Sequence, residues 1–255
     1  MKTLYQLIQQ KSKAIAAMVG ILILMPMDTD AALVGQWNFN ENAGTSSVDA
    51  SGNGNNATLQ GTAGWGAGAV VNDFASTFDG TSATVDYGTD SLFNLGQNYT
   101  LAIWVNPTVL AGEQLFFGKG YNFSLTYFGS NVYFYGGGTA GNVPLAAGAW
   151  SLVVGVFDTG LTTIYVNNET PVIFNIGTTI PDTSAIALTS GQALFGANLF
   201  QGSLSQAQIY DNSLLSGDVA DLFAAGPVAI PEPSVLAVVM LGGIVLLGRR
   251  VCRQA

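Results

Sequence analysis

The chemistry open to this chain is set first by its carboxylates, because it has no histidine and a single cysteine, Cys252. Neither a Ser-His-Asp nor a Cys-His constellation can be assembled without an imidazole. Glycosidic hydrolysis by a carboxylate pair needs two acids flanking one bond. Between residues 33 and 226 the only glutamates are Glu41, Glu113 and Glu169, widely separated, which leaves Asp79 and Asp86 as the remaining candidate pair. No catalytic residue is assigned, and the chain is expected not to be an enzyme. Sugar binding asks for less: aromatic rings against the apolar face of a pyranose, with amides and carboxylates for its hydroxyls. Trp65, Tyr121, Tyr133 and Tyr135 lie in or beside Gly- and Asn-rich segments and are the candidates for that role. The competing reading of each is a packing residue, the commoner use of an aromatic side chain. Gly136-Gly137-Gly138 reads as a loop and not a phosphate cradle, since no helix follows it. Four Asn-x-Ser/Thr matches, at Asn56, Asn98, Asn122 and Asn168, receive no role.

Charge narrows the partners. Lys2, Lys11 and Lys13 precede the first apolar run, Arg249, Arg250 and Arg253 follow the last, and only Lys119 lies between. Ten Asp and three Glu share residues 33–226 with that one lysine, a net charge of −12. Nucleic acid is excluded as a partner, because phosphate binding needs clustered Lys and Arg. Fourteen Phe, nine Tyr and four Trp supply the apolar surface for a core despite thirty-two glycines. With Cys252 beyond the second apolar run, the domain must fold without disulfides.

The two ends read as addresses. Three lysines followed by the apolar stretch Ala14 to Met27 predict a signal peptide over residues 1–32, with cleavage near Ala31-Ala32. An uncleaved N-terminal anchor is the alternative. At the other end, residues 227–255 hold a linker, Pro231-Glu232-Pro233, the apolar run Ser234 to Gly248, and a basic terminus. That run predicts a transmembrane helix of about 22 Å at about 1.5 Å per residue, short for a bilayer core and dependent on snorkelling flanks. The positive-inside rule places Arg249 and Arg250 in the cytoplasm and the preceding domain outside.

The domain of residues 33–226 reads as all-β. In Leu33 to Asn40, Leu33, Trp37 and Phe39 share one face; the same period of two recurs at Tyr99, Leu101, Ile103 and Val105, at Tyr121, Phe123, Leu125 and Tyr127, and at Trp150, Leu152, Val154 and Val156. Shorter versions appear at Ile164 and Val166, and at Val172, Phe174 and Ile176. Asp79-Gly80, Phe128-Gly129-Ser130-Asn131, Asp158-Thr159-Gly160 and Asn167-Asn168 are turn sequences at hairpin spacing. One helix is expected late, capped by Ser216, with Asp218 in its first turn and Val219, Leu222 and Phe223 on one face. Many short strands with glycine-rich turns predict a sandwich or jelly roll.

Two family resemblances follow from these residues. Pro231-Glu232-Pro233, the apolar run and the arginines, in that order, closely resemble the PEP-CTERM sorting signal, which implies recognition by an exosortase, a membrane transpeptidase-like protease of exopolysaccharide-producing Gram-negative bacteria, and removal of the tail. Pro231, Glu232 and Pro233 would be the recognised residues; the alternative is a plain C-terminal membrane anchor. Leu33-Val34-Gly35-Gln36-Trp37-Asn38-Phe39-Asn40-Glu41 followed by Asp49-Ala50-Ser51-Gly52-Asn53-Gly54 resembles the opening of concanavalin A-like, laminin G-type jelly rolls. Phe78-Asp79-Gly80, Tyr99 to Val105, Trp150 with Phe157-Asp158, and Phe200-Gln201-Gly202-Ser203-Leu204 look like its later landmarks. The resemblance implies a concanavalin A-like/laminin G-like β-sandwich over residues 33–226, flanked by the signal helix and the transmembrane helix.

That resemblance also implies a calcium site, since many relatives bind the ion near an Asp-x-Ser-Gly-Asn loop. Calcium takes six to eight oxygens at about 2.3–2.6 Å, and Asp49, Asn53, carbonyls near Gly54 and Asn56, and the amide of Gln206 supply several. Only Asp49 is charged, and Ser205-Gln206 stands where the family commonly has Asp-Glu. The loop reads equally as a polar turn whose side chains cap their own backbone. The laminarinase-type pattern Glu-x-Asp-x-x-Glu is absent. The sequence therefore predicts an exported surface or matrix protein that binds glycan, the cell's exopolysaccharide included. The alternatives are a structural matrix component without sugar binding and a divergent glycosidase.

Overall fold

The computed structural model describes residues 31–70, 73–120, 122–136, 139–175, 183–192 and 199–227. The signal-peptide segment, Tyr121, Pro231, Glu232, Pro233, Arg249, Arg250 and the apolar run between them lie outside the described residues. Among the described residues no helix is long and apolar enough to cross a membrane. The chain divides into two compact units, Met1–Ala32 and Leu33–Ala255, and the sandwich belongs to the second.

Sixteen strands and one α-helix follow in order among the described residues. They begin β1 (Leu33–Trp37), β2 (Ser46–Ser47), β3 (Ala57–Gln60), β4 (Gly64–Ala67), β5 (Phe74–Asp79) and β6 (Thr84–Gly88). The middle of the domain holds β7 (Asn98–Val109), β8 (Glu113–Lys119), β9 (Phe123–Phe128), β10 (Asn131–Gly136), β11 (Thr139–Pro144), β12 (Ser151–Asp158), β13 (Leu161–Val166) and β14 (Val172–Asn175). The chain then closes with β15 (Leu188–Ser190), β16 (Gln201–Tyr210) and α1 (Ser216–Ala225). The first sheet runs β14-β13-β12-β7-β16-β5-β4, with β1 also on β16; the second runs β11-β10-β9-β8-β15-β6-β3-β2. This is an all-β jelly-roll sandwich, as the strand spacing predicts.

The tight hairpins have a local cause. Gly129 and Ser130, between β9 and β10, carry φ of 57° and 77°, and Thr159 and Gly160, between β12 and β13, carry 45° and 97°. Two positive φ values at the centre of a two-residue loop match the right-handed twist of the flanking strands. The fully buried Trp37 organises the interior: its ring meets Tyr87, Phe93 and Phe117 edge-on at 4.4, 6.0 and 6.1 Å, and its Nε1 donates to the carbonyl of Asn55 at 2.8 Å. Such edge-to-face pairs add about 0.5–1.5 kcal/mol each to the burial itself.

Three expectations shift on contact with the structure. The first strand ends at Trp37 because Phe39 turns the chain with φ 58°, dropping its ring fully into the core. A register irregularity between Leu33 and Gly35 changes the parity, so Val34 joins Trp37 and Phe39 in the core cluster and Leu33 does not. Helix α1 is capped not by Ser216 but at Leu215, whose backbone N–H donates to Asp218 Oδ2 at 2.8 Å. A leucine has no side-chain acceptor, so the N3 carboxylate alone reaches back to the cap.

The helix has a reason to exist. On β12, Leu152, Val154 and Val156 face outward, away from the main core, as do Ala102 and Trp104 on β7; with Val219 of α1 they form a second buried cluster. Leu222 and Phe223 pack against it, and Phe223 stacks on Trp104 at 5.9 Å with the rings 17° apart. Both faces of the middle of the first sheet are thus apolar, and α1 covers the outer one.

Candidate functional site

The second sheet is built differently. Along β3, Leu59 turns inward while Thr58 and Gln60 point out; along β6, Val85 and Tyr87 turn inward while Thr84 and Asp86 point out. Cross-strand pairing sets these outward residues in rows. One row runs Thr58, Asp86, Thr189, Gly118, Ser124 and Tyr135 across β3, β6, β15, β8, β9 and β10. At about 4.8 Å per strand, Asp86 and Tyr135 stand about 19 Å apart along it.

Two ends of this face carry functional groups. At one, Gln60, Thr84, Asp86, Thr189 and Gln192 line a depression of about 400 Å³ together with Ala185, Ile186 and Ala187. Gln60 Nε2 donates to Asp86 Oδ2 at 3.3 Å, Gly88 N donates to Asp86 Oδ1 at 2.8 Å, and Thr189 Oγ1 donates to Gln192 Oε1 at 3.0 Å. Carboxylate, amides and hydroxyls therefore converge beside the partly exposed Ile186. At the other end, Tyr133 and Tyr135 of β10 point outward with Phe128 of β9, whose ring lies 6.4 Å from that of Tyr133. Phe128 is 51% exposed, which marks it as a surface ring and not a core one. Burial, then the negative charge of Glu113 and the neighbouring Tyr133, push the Tyr135 phenol up, so it stays a neutral hydroxyl donor and acceptor. Ser124 and Thr126, between the two ends, are fully buried.

The sequence candidates distribute as follows. Tyr133 and Tyr135 are brought together on this face. Tyr133 leans over Gly141, where an added Cβ would run into its ring, so one side of that ring is already packed. Trp65 is elsewhere, on β4 of the first sheet, partly buried against the core with Nε1 donating to the Gly44 carbonyl at 2.8 Å. Phe128, Gln60, Thr84 and Gln192 were not singled out by sequence reasoning. The outward parity of Thr58 and Gln60 and of Thr84 and Asp86, opposite Leu59 and Val85, was the signal that could have found the β3–β6 end.

The Asp49 loop is closed on itself. Asp49 Oδ1 accepts from Gln36 N and Ser51 N at 3.1 and 2.9 Å, and its Oδ2 from Asn55 N at 3.0 Å. Asn53 Nδ2 donates to the carbonyls of Leu33 and Val34 and to Ser51 Oγ, and Asn56 Oδ1 accepts from Asp49 N. Gly54 has φ 81°, the turn that this closure requires. Gln206 occupies a bulge of β16 with φ 45°, and its buried amide Nε2 has no hydrogen-bond partner among the described residues. Among the described residues no group of three or more His, Cys, Asp or Glu could hold a metal ion. The donor set does not fit a calcium cage, because its one charged member already accepts three backbone N–H bonds and no second carboxylate joins it.

The carboxylates weighed for catalysis are also occupied or apart. Asp79 ends β5 in the first sheet and Asp86 lies on β6 in the second. Hydrogen bonds from Thr62, Thr81 and Ser82 hold the Asp79 carboxyl well below its ordinary range, as suits a turn-stabilising anion. Glu41 Oε1 accepts from Ser47 Oγ and Val48 N at 2.9 and 2.7 Å.

A family model described as the concanavalin A-like lectin/glucanases superfamily, of laminin G type, matches residues 79–220. The chain belongs to that superfamily. The match takes in Asp86, Phe128, Tyr133, Tyr135 and Thr189 and leaves the Asp49 loop outside. No curated protein matches the sequence. Among solved structures, domain 4 of AbnA, a GH43 extracellular arabinanase from Geobacillus stearothermophilus, in complex with arabinotriose, is similar at 21% identity and a TM-score of 0.58, over 75% of this chain and 98% of that one. Trypanosoma rangeli sialidase, as a covalent intermediate with 2,3-difluorosialic acid, is similar at 16% identity and 0.60, over 78% of this chain and 34% of that one. The receptor-binding domain of a botulinum neurotoxin C/D mosaic serotype gives 12% and 0.57, over 76% and 51%. This superfamily member thus spans about a third of the sialidase and half of the toxin domain. At these identities the likeness is one of fold.

Proposed function

We propose that the chain is a non-catalytic glycan-binding protein, exported to the cell surface or the extracellular matrix, whose ligand lies on the outer face of the second sheet. The observation that carries this reading is the depression of Gln60, Thr84, Asp86, Thr189 and Gln192 on the same face as the surface rings of Phe128, Tyr133 and Tyr135. Hydroxyls of a sugar find amide and carboxylate partners at one end, and its C–H faces find rings at the other. The arabinanase domain, which aligns with this chain over nearly its whole length and was solved in complex with arabinotriose, supports a glycan as the ligand class. Calcium has no part in this binding, because the Asp49 loop satisfies itself. An array of glycans probed with the purified full chain tests the reading. Binding that survives chelation is expected; silence across the array, with or without calcium, would overturn it.

The termini complete the proposal. The first 32 residues direct export, residues 227–255 hold the chain in the membrane, and an exosortase acts at Pro231-Glu232-Pro233 to release it toward exopolysaccharide. The order of motif, apolar run and Arg249-Arg250 supports this. Cell fractionation with mass measurement of the mature form is expected to find it without Cys252; a mature form that keeps Cys252 in the membrane fraction would favour the plain anchor.

A further inference from the structure

The electrostatics of the domain define the ligand more narrowly than its shape does. Thirteen carboxylates and one lysine occupy residues 33–226. That lysine, Lys119, is fully buried: its Nζ donates to Asn94 Oδ1 at 3.1 Å and to the Thr183 carbonyl at 3.2 Å, and it lies 5.7 Å from the Phe123 ring centroid. The domain therefore presents no exposed cationic side chain with which to pair a carboxylate or sulfate. An anionic polysaccharide approaching it meets a net charge of its own sign, and no exposed lysine or arginine of the domain offsets the repulsion.

The depression on the second sheet has the opposite preference. Asp86 is its one charged lining residue, set between Gln60, Thr84 and Thr189, with Ile186 beside it. Its two oxygens each accept one hydrogen bond, from Gly88 N and Gln60 Nε2, and a carboxylate has about four acceptor sites. Acceptor capacity therefore remains for an ammonium group. A metal cation is a poorer occupant, because one carboxylate is far from a hard-cation cage.

Resting on the glycan-binding reading above, we propose that this depression takes an amine-bearing glycan, a hexosamine oligomer with free amino groups, with Asp86 pairing the ammonium and Ile186 contacting the ring. An N-acetylated oligomer of the same length binds the same face more weakly, and a uronic acid oligomer does not bind.

The test measures binding of the full chain to three oligomers in mildly acidic buffer: glucosamine, N-acetylglucosamine and a uronic acid. Two variants of equal net charge accompany the wild type: Asp86→Asn in the depression, and Asp158→Asn at the exposed end of β12 in the first sheet. The amine oligomer is expected to bind tightest. Asp86→Asn should weaken it about five-fold and the N-acetylated oligomer, which loses only a hydroxyl acceptor, by a clearly smaller factor, and Asp158→Asn should leave both unchanged. Equal losses in the two variants would mean diffuse attraction and overturn the assignment, as would indifference to the amine or uronate binding as tight as that of the amine oligomer. Binding of the N-acetylated oligomer alone, or of none of the three, would sink this inference; the glycan reading falls only with silence across the wider array.

Discussion

On the first sheet, Ala102, Trp104, Leu152, Val154 and Val156 point away from the sandwich interior and are buried with α1 against them. On the second, the positions that point away are Thr58, Gln60, Thr84, Asp86, Tyr133 and Tyr135, and several of them line a depression. The inner faces of both sheets feed one common aromatic core, so the fold does not require this asymmetry. An outer face that is apolar must be covered, and α1 does that; the polar ends of the second sheet, on either side of the buried Ser124 and Thr126, are free to exchange water for a ligand. The same architecture thereby buries one outer face for stability and leaves the ends of the other for the recognition proposed above.

The largest expected effect comes from putting the wrong chemistry on the covered side. Val154→Asp places an unpaired charge at a fully buried position and should cost about 4 kcal/mol or more, enough to unfold the domain. Thr84→Asp, on the open side, should change stability by about 1 kcal/mol or less; denaturant melts of the pair measure the contrast. A similar loss from both would erase the distinction between the faces.

Next in size is the Asp49 loop, which belongs to neither face. Asp49→Ala strands the N–H groups of Gln36, Ser51 and Asn55 and should cost about 3 kcal/mol. A chelator should leave the melting temperature of the wild type unchanged, and a clear fall would restore calcium to the loop. Phe223→Ala removes the ring stacked on Trp104 and should cost about 2 kcal/mol. Its glycan binding should match the wild type, because α1 covers the other sheet.

The smallest effect is alkaline. Burial, with Asp218 adding to it, pushes Tyr210 up to about 12, and burial pushes Tyr87 and Tyr99 higher still. A folded value above the unfolded one means the stabilisation is intact below about pH 10 and fades as pH rises through the folded values. Phenolate absorbance should therefore show a late-titrating class that appears together with unfolding.

Much of this fold was legible because period-two runs are long and their turns carry specific residues. Gly129-Ser130 and Thr159-Gly160 fall where the hairpins were expected, and Tyr99, Leu101, Ile103 and Val105 reach the core as the alternation requires. Parity failed where the backbone breaks it: a bulge after Leu33 exchanged its place with Val34. The β12 alternation was real, but Leu152, Val154 and Val156 face α1, because a strand apolar on both sides does not declare which side is the core. The site was only half legible. Tyr133 and Tyr135 stand out as aromatics, but Gln192 meets Gln60, Thr84 and Asp86 from more than a hundred residues away, and no local spacing in the chain records that meeting.

The central claim is that ligand meets the outer face of the second sheet. Hydrogen exchange of the full chain, with and without a glycan selected on the array, tests it most directly. The account predicts slowed exchange confined to β3, β6, β15 and the β9–β10 hairpin, with β7, β12 and α1 unchanged. Protection over α1 and β12, with the second sheet unaffected, would contradict it.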